Sequence, residues 1–174
     1  MPFPLMRMLT VRPAVTTDLP AILDIVRRVV PLMQAAGNFQ WEADYPNEAV
    51  FRQDIERAQL WVAELDEAVA GVAALTTDQD PEYAQADWDP AETAIVTHRL
   101  AVDPAVQGKG IAAALLAQAE QLARERGLHS LRVDTNSENQ STQRLFPKLG
   151  YRFAGEITLA FRPGLRFFCY EKRL

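Results

Sequence analysis

In the stretch DPAVQGKGIAAALL, residues 103–116, two glycines flank Lys109 immediately before an unbroken run of Ala, Ile and Leu. Glycine costs roughly 1 kcal/mol relative to alanine inside a helix, so Gly108 and Gly110 point to a demand on the backbone itself. A strand, a glycine-containing loop and a helix N-terminus in succession make an anion site. Consecutive N–H groups face outward there, and the helix macrodipole adds about half a positive charge. Loop glycines leave room for a phosphate; a plain tight turn with a packing glycine is the alternative. Two phosphate readings fit the letters. GKGIAA satisfies the dinucleotide fingerprint G-x-G-x-x-A, with Asp134 near the expected ribose position. Against it, Asp103 to Gln107 intervene between the strand end at Val102 and Gly108. The other reading takes QGKGIA as Q/R-x-x-G-x-G/A.

The elements around this stretch follow from periodicity. A short strand near Leu9–Arg12 precedes TTDLPAILDIVRRVVPLMQAAG, whose apolar residues Leu19, Ile22, Leu23, Val26, Val29, Val30 and Met33 recur at helical spacing. Pro31 is expected to kink this helix and Gly37 to end it. Asn47 is a plausible N-cap for a second helix reaching about Ala58. LWVAEL and VAGVAALTT, joined at Asp66-Glu67, read as an antiparallel hairpin. A long acidic loop over 77–93 carries Tyr83 and Trp88 and leads to the strand AIVTHRLAV. A helix over 110–126, the strand LHSLRV, the short helix NQSTQRLFPKL and two final strands complete the chain. The order β-α-α-β-β-β-α-β-α-β-β is mixed α/β with antiparallel hairpins at the flanks.

Composition bounds the function. The chain has 174 residues, 48% hydrophobic and 24% charged, which suits one globular domain. Residues 9–174 read as that domain and 1–8 as an extension without order. Apolar runs fall short of the ~20 residues a bilayer span needs, and no signal-peptide block stands out, so a cytoplasmic protein without membrane partners is expected. A net charge of −5 with no basic block argues against nucleic acid. The single cysteine, Cys169, excludes an internal disulfide or a cysteine-based metal cluster and reads as a buried structural thiol. No metal site is expected.

LAVDPAVQGKGIAAALLAQAE, residues 100–120, resembles the acetyl-CoA motif of the GNAT superfamily of N-acetyltransferases, and NQSTQRLFPKLGYRFAGE, residues 139–156, resembles its next motif. The order of elements agrees throughout. HRLAV, DTNSENQSTQRLF and NFQW…DYP further resemble a little-characterised bacterial branch. The resemblance implies a GNAT-like single domain: a central mixed, mostly antiparallel sheet, splayed between strands 4 and 5, with helices on both faces. It also implies an acyltransferase whose cofactor is acetyl-CoA. Carried over, backbone amides of Gln107, Gly108, Lys109, Gly110, Ile111 and Ala112 would wrap the pyrophosphate of coenzyme A. Leu100, Ala101 and Val102 would present strand-edge groups to the pantetheine arm, and one N–H there would polarise the thioester carbonyl. Asn139 would hydrogen-bond the pantetheine while also capping the next helix.

The usual proton-donating tyrosine of that family aligns with Phe146, which lines the cofactor site in this reading but has no proton to give. Tyr151, Tyr170 and Ser141 are substitutes, with Tyr151 the candidate acid. For the base, His98 is the candidate: in alternating strand geometry it shares a face with Val96, Leu100 and Val102, and histidine titrates near neutrality. A histidine satisfied within the core is the alternative, and Glu42, Asp44 and Glu92 could act through water. Trp41, Tyr45, Tyr83 and Trp88 could wall an acceptor pocket or simply anchor their loops. Asp78, Asp80, Glu82, Asp87, Asp89 and Glu92 would favour a cationic acceptor, or are solvated loop charges. The expected reaction is acetyl transfer to a small-molecule primary amine, by a monomer or homodimer. The alternatives are a weakened acyl-CoA-binding module and acetylation of a protein N-terminus or lysine.

Overall fold

A computed structural model of the chain describes residues 6–174. Of the expected N-terminal extension, residues 1–5 lie outside the described residues. Met8 is tied to the hairpin turn: its N–H donates to the Asp66 carboxylate at 2.9 Å and its carbonyl accepts from the Asp66 N–H at 2.9 Å.

Seven strands, β1 Leu9–Pro13, β2 Leu60–Leu65, β3 Ala68–Thr76, β4 Ile95–Val102, β5 Ser130–Asn136, β6 Arg152–Ile157 and β7 Phe167–Arg173, form one sheet. Their order is β1-β2-β3-β4-β5-β7-β6. Four helices, α1 Leu19–Ala35, α2 Glu48–Glu56, α3 Ile111–Glu125 and α4 Gln140–Lys148, cover the two faces. Every pairing is antiparallel except β4 with β5. The mixed, mostly antiparallel sheet is therefore as expected.

The local reasons are visible in the sequence. At the β2–β3 turn, Asp66 and Glu67 both take positive φ, 52° and 68°, as a two-residue hairpin of matching twist requires. Asn47 caps α2 by accepting from the Val50 N–H at 3.1 Å. α1 runs through Pro31, whose ring lies on an exposed face, and closes at Ala35, two residues before Gly37. Its apolar side, Leu19, Ile22, Ile25, Val26 and Val30, is buried against the β2–β3 hairpin and Ala101.

On the opposite face, α3 lies over the middle of the sheet through Ile111, Leu115 and Ala119. Gly71 on β3 sets how closely it approaches. A Cβ there would meet Ile111 Cγ2 at 2.6 Å and the Ala101 carbonyl at 3.1 Å. Gly71→Ala should therefore cost about 1–3 kcal/mol by overpacking, read as a lowered Tm. A variant as stable as the parent would show that α3 has slack at its first turn.

Two features of β4 position the site. Its register with β5 covers only Ile95–Thr97 against Leu131–Val133, and beyond those residues the two strands part. The splay is thus where the resemblance implied it. β4 also carries a bulge, since Ala74 pairs with His98 while Val72 pairs with Ala101. Arg99, inside that bulge, has φ 52°. The extra residue reverses the alternation. Leu100 and Val102 pack on the α3 side, whereas Val96 and Ala101 belong to the opposite side. His98 therefore shares a face with Val96 but not with Leu100 or Val102, which corrects the simple alternating expectation.

Candidate functional site

The splay opens into a cavity of about 1050 Å³ bounded by α1, β4, the first turn of α3, the end of β5 and α4. Its α3 end is built from backbone. Gly108 and Gly110 have φ of 76° and 81°, and Gly110 is the left-handed N-cap residue of α3. Conformation, more than crowding, demands glycine here, because a Cβ at either position would meet nothing within 4 Å. Among the described residues, the amides of Gln107, Gly108, Lys109, Gly110, Ile111 and Ala112 have no hydrogen-bond partner within the chain. These unpaired donors lie at the positive end of a 15-residue helix, five of them from residues that line the cavity, and suit a diphosphate. The Lys109 side chain is exposed and does not line the cavity.

Leu100, Ala101 and Val102 lie along the cavity wall, on the stretch of β4 that β5 no longer pairs. Asn139 also lines it; its side-chain oxygen accepts from the Thr142 N–H at 3.3 Å as the cap of α4. Phe146 closes the wall from α4, buried with its ring against Tyr151 at 5.8 Å and Tyr170 at 5.3 Å. Tyr151 does not reach the cavity, contrary to its assignment as acid. It sits behind Phe146, with its buried hydroxyl lacking a hydrogen-bond partner among the described residues, and burial holds its pKa well above the ordinary value. Tyr170 is likewise core; of the three substitutes only Ser141 lines the cavity.

At the apex of the splay stand His98 and Asp134, each one residue past the last paired positions, Thr97 and Val133. Both line the cavity. The His98 Nε2 lies 3.1 Å from the Asp78 carbonyl. Asp134 accepts a short hydrogen bond, 2.5 Å, from the Tyr83 hydroxyl. Burial pushes the Asp134 carboxyl above its ordinary pKa, opposed by that hydrogen bond and by the nearby His98. Burial first, then the Asp134 charge, raises Tyr83 well above its own ordinary value, so the phenol stays a neutral donor.

Trp41 and Tyr45 line the cavity, but Tyr83 and Trp88 do not wall it. They are held in a separate cluster against β6 and β7. The Trp88 indole donates to the Tyr83 carbonyl at 2.9 Å, and the buried Arg132 guanidinium stacks 4.7 Å from the Trp88 ring centre. Arg132 also donates to the Asp89 carbonyl at 2.7 Å and pairs with Glu171 at 3.0 Å. These aromatics anchor the acidic loop. Of its carboxylates only Asp78 and Asp80 face the cavity; Glu92 pairs with Arg173, and Glu82 accepts from the Ala160 N–H. Glu42, Asp44 and Glu92 lie off the cavity, which removes them as water-mediated bases. Cys169 is fully buried and burial raises its pKa, in keeping with an inert thiol.

The cavity residues without an expected role from sequence include Asp134 in this setting, Arg99 and Asp54. The Arg99 Nε and Nη2 each donate to Asp54 at 2.7 Å. In SLRVDT, Arg132 and Asp134 alternate with Leu131 and Val133, a sign of a polar network on one face of a central strand.

A model of the acetyltransferase (GNAT) family matches residues 26–151. The chain belongs to the GNAT family of acetyltransferases. It is therefore an acyltransferase, and acetyl-CoA is its cofactor. This GNAT protein is 27% identical over 152 residues to the Bacillus subtilis (strain 168) uncharacterized N-acetyltransferase YesJ, covering 82% of this chain and 81% of that one. A GNAT acetyltransferase from Streptococcus agalactiae superposes with a TM-score of 0.83 at 25% identity, covering 95% of both chains. The Salmonella typhimurium acetyltransferase yncA, solved with its cofactor acetyl-CoA, shares the fold with a TM-score of 0.69 at 22% identity, covering 95% of this chain and 94% of that one. Among the described residues no helix is long and apolar enough to cross a membrane, and no group of His, Cys, Asp and Glu could hold a metal ion.

Proposed function

We propose that this GNAT acetyltransferase acetylates the primary amine of a small molecule by direct attack of that amine. Bound acetyl-CoA supplies the activated thioester carbonyl. The six amides from Gln107 to Ala112 hold the diphosphate, and the free edge of Leu100–Val102 aligns the pantetheine arm, with Asn139 offering its amide NH₂. An N–H on that edge donates to the oxygen on which negative charge develops, a contribution typically worth roughly 3–4 kcal/mol.

The acceptor must arrive neutral. A lysine-like amine of pKa ~10.4 is about one part in 2,500 neutral at pH 7, a cost of roughly 4.6 kcal/mol. Asp134 attracts the ammonium to the apex, and His98 beside it takes the proton. Tyr83 is the positioning residue, holding the carboxylate from behind. Ser141 is the hydroxyl placed to protonate the departing thiolate in the absence of a tyrosine at position 146.

The observation that carries the small-acceptor reading is a strap over the acceptor side. The β6–β7 loop crosses to the α1–α2 loop, where the Arg162 Nε donates to the Gln40 carbonyl at 2.8 Å and its guanidinium stacks 5.3 Å from the Tyr45 ring. Phe161 packs 6.3 Å from the same ring. A polypeptide acceptor needs an open groove there. Thiol release measured over polyamines, aminoglycosides, amino acids, aralkylamines and lysine- or N-terminus-bearing peptides tests the proposal. Turnover is expected with small amines and not with peptides. Turnover confined to peptides overturns it, and release with no acceptor at all favours a module that only binds acyl-CoA.

A further inference from the structure

Arg99 is the one cavity arginine placed by a strand, and its placement is unusual. It occupies the β4 bulge with φ 52°, a conformation uncommon for a residue with a side chain. The bulge swings it out of the strand's alternation and toward α2, where Nε and Nη2 engage both oxygens of Asp54 at 2.7 Å. The Asp54 side chain is 6% exposed and that of Arg99 is 18% exposed. Burial opposes the guanidinium charge, but Asp54 outweighs it and keeps the group above its ordinary pKa. The charge is thus permanent and its plane is fixed by a two-point contact.

A guanidinium has five N–H donors, and the Asp54 fork uses two. Three N–H donors remain beyond that fork, and the residue lines the cavity. The Tyr45 hydroxyl accepts from one of them, which leaves two. Arg99 is next in sequence to His98, so the unpaired donors and the amine-receiving apex share one chamber. That chamber offers a fixed cationic fork at one point and a carboxylate–imidazole pair at another. The ligand it matches carries both charges.

We infer that the acceptor bears a carboxylate as well as its amine, an amino-acid-class substrate whose carboxylate is held by the free edge of Arg99. The inference rests on the small-amine reading above. Its rival is a purely structural role, in which the Arg99–Asp54 pair ties the bulge to α2 and no ligand is touched. A strut would affect all acceptors alike, whereas an anchor discriminates by acceptor carboxylate.

The test is thiol release by the wild-type protein with the twenty amino acids, their amides and their decarboxylated amines, repeated with Arg99→Gln and Arg99→Lys. A charged hydrogen bond lost from the acceptor should cost roughly 10- to 100-fold in kcat/KM, so at least one free amino acid is expected to exceed its amide by that margin. The change should lie mainly in KM. In Arg99→Gln the ratio of amino acid to amide should fall toward one, with Arg99→Lys retaining part of it. Amides or decarboxylated amines that match the free amino acids would overturn the anchor while leaving amine acetylation intact. Failure of every amine would overturn both. The wild-type comparison decides the matter even where a variant does not fold.

Discussion

Replacing Gly110 with aspartate should abolish acetyl-CoA binding in a protein that remains folded. Gly110 is the left-handed residue from which α3 starts, with φ 81° and open space where its side chain would be. Steric overlap therefore contributes little to the cost. Aspartate accepts left-handed φ better than most residues, so the backbone penalty is of order 1 kcal/mol. Function suffers more. In the proposed binding mode the unpaired amides and the helix dipole attract the diphosphate, and a fixed carboxylate among them would repel it. Gly110→Asn, nearly the same shape without charge, separates the two effects. Calorimetric titration should show at least a 100-fold loss of acetyl-CoA affinity for Gly110→Asp, a smaller one for Gly110→Asn, and native-like circular dichroism for both. An aspartate variant that binds acetyl-CoA normally would place the diphosphate elsewhere.

The backbone conformation at Gly108 and Gly110 was legible in sequence because its requirements are local. Two glycines within three residues, ahead of a helix-forming run, state a backbone conformation whatever the rest of the chain does. The order of strands and helices was legible for the same reason, through hydrophobic periodicity. The acceptor side depends instead on contacts across long sequence separations. Tyr83 and Trp88 look like pocket aromatics until Arg132 is found beneath the indole, 4.7 Å from its centre and 44 residues further on. The bulge at Arg99 needs no glycine, so nothing in HRLAV announces that the strand changes face after His98. Tyr151 has the right hydroxyl for an acid, and only the packing of Phe146 against it places that hydroxyl in the core. Residue type suggested the chemistry in each case; tertiary position decided it.

The second large effect concerns the apex of the splay, where stability and activity should move in opposite directions. Asp134 is a carboxylate whose folded pKa lies above its ordinary value because it is buried. A group raised in this way binds its proton more tightly in the folded state. Its stabilising contribution is complete below the unfolded carboxylate pKa and is lost as pH rises through the folded one. Above the unfolded carboxylate pKa, Asp134 thus works against the fold. Asp134→Asn keeps the Tyr83 hydrogen bond and removes the charge, so its Tm should exceed the parent's at pH 7, with the gap closing below about pH 4. Activity should fall about 10- to 100-fold, the scale of losing one charged contact to the acceptor. His98→Gln should lower kcat, and an unchanged kcat would remove His98 as the base. Tyr83→Phe tests the positioning role. Deleting a donor that favours the charged carboxylate raises the Asp134 pKa further, so the acid limb of kcat/KM against pH should move to higher pH. An Asp134→Asn protein that is both fully active and no more stable at pH 7 would show that this buried charge serves neither the reaction nor the strain argued here.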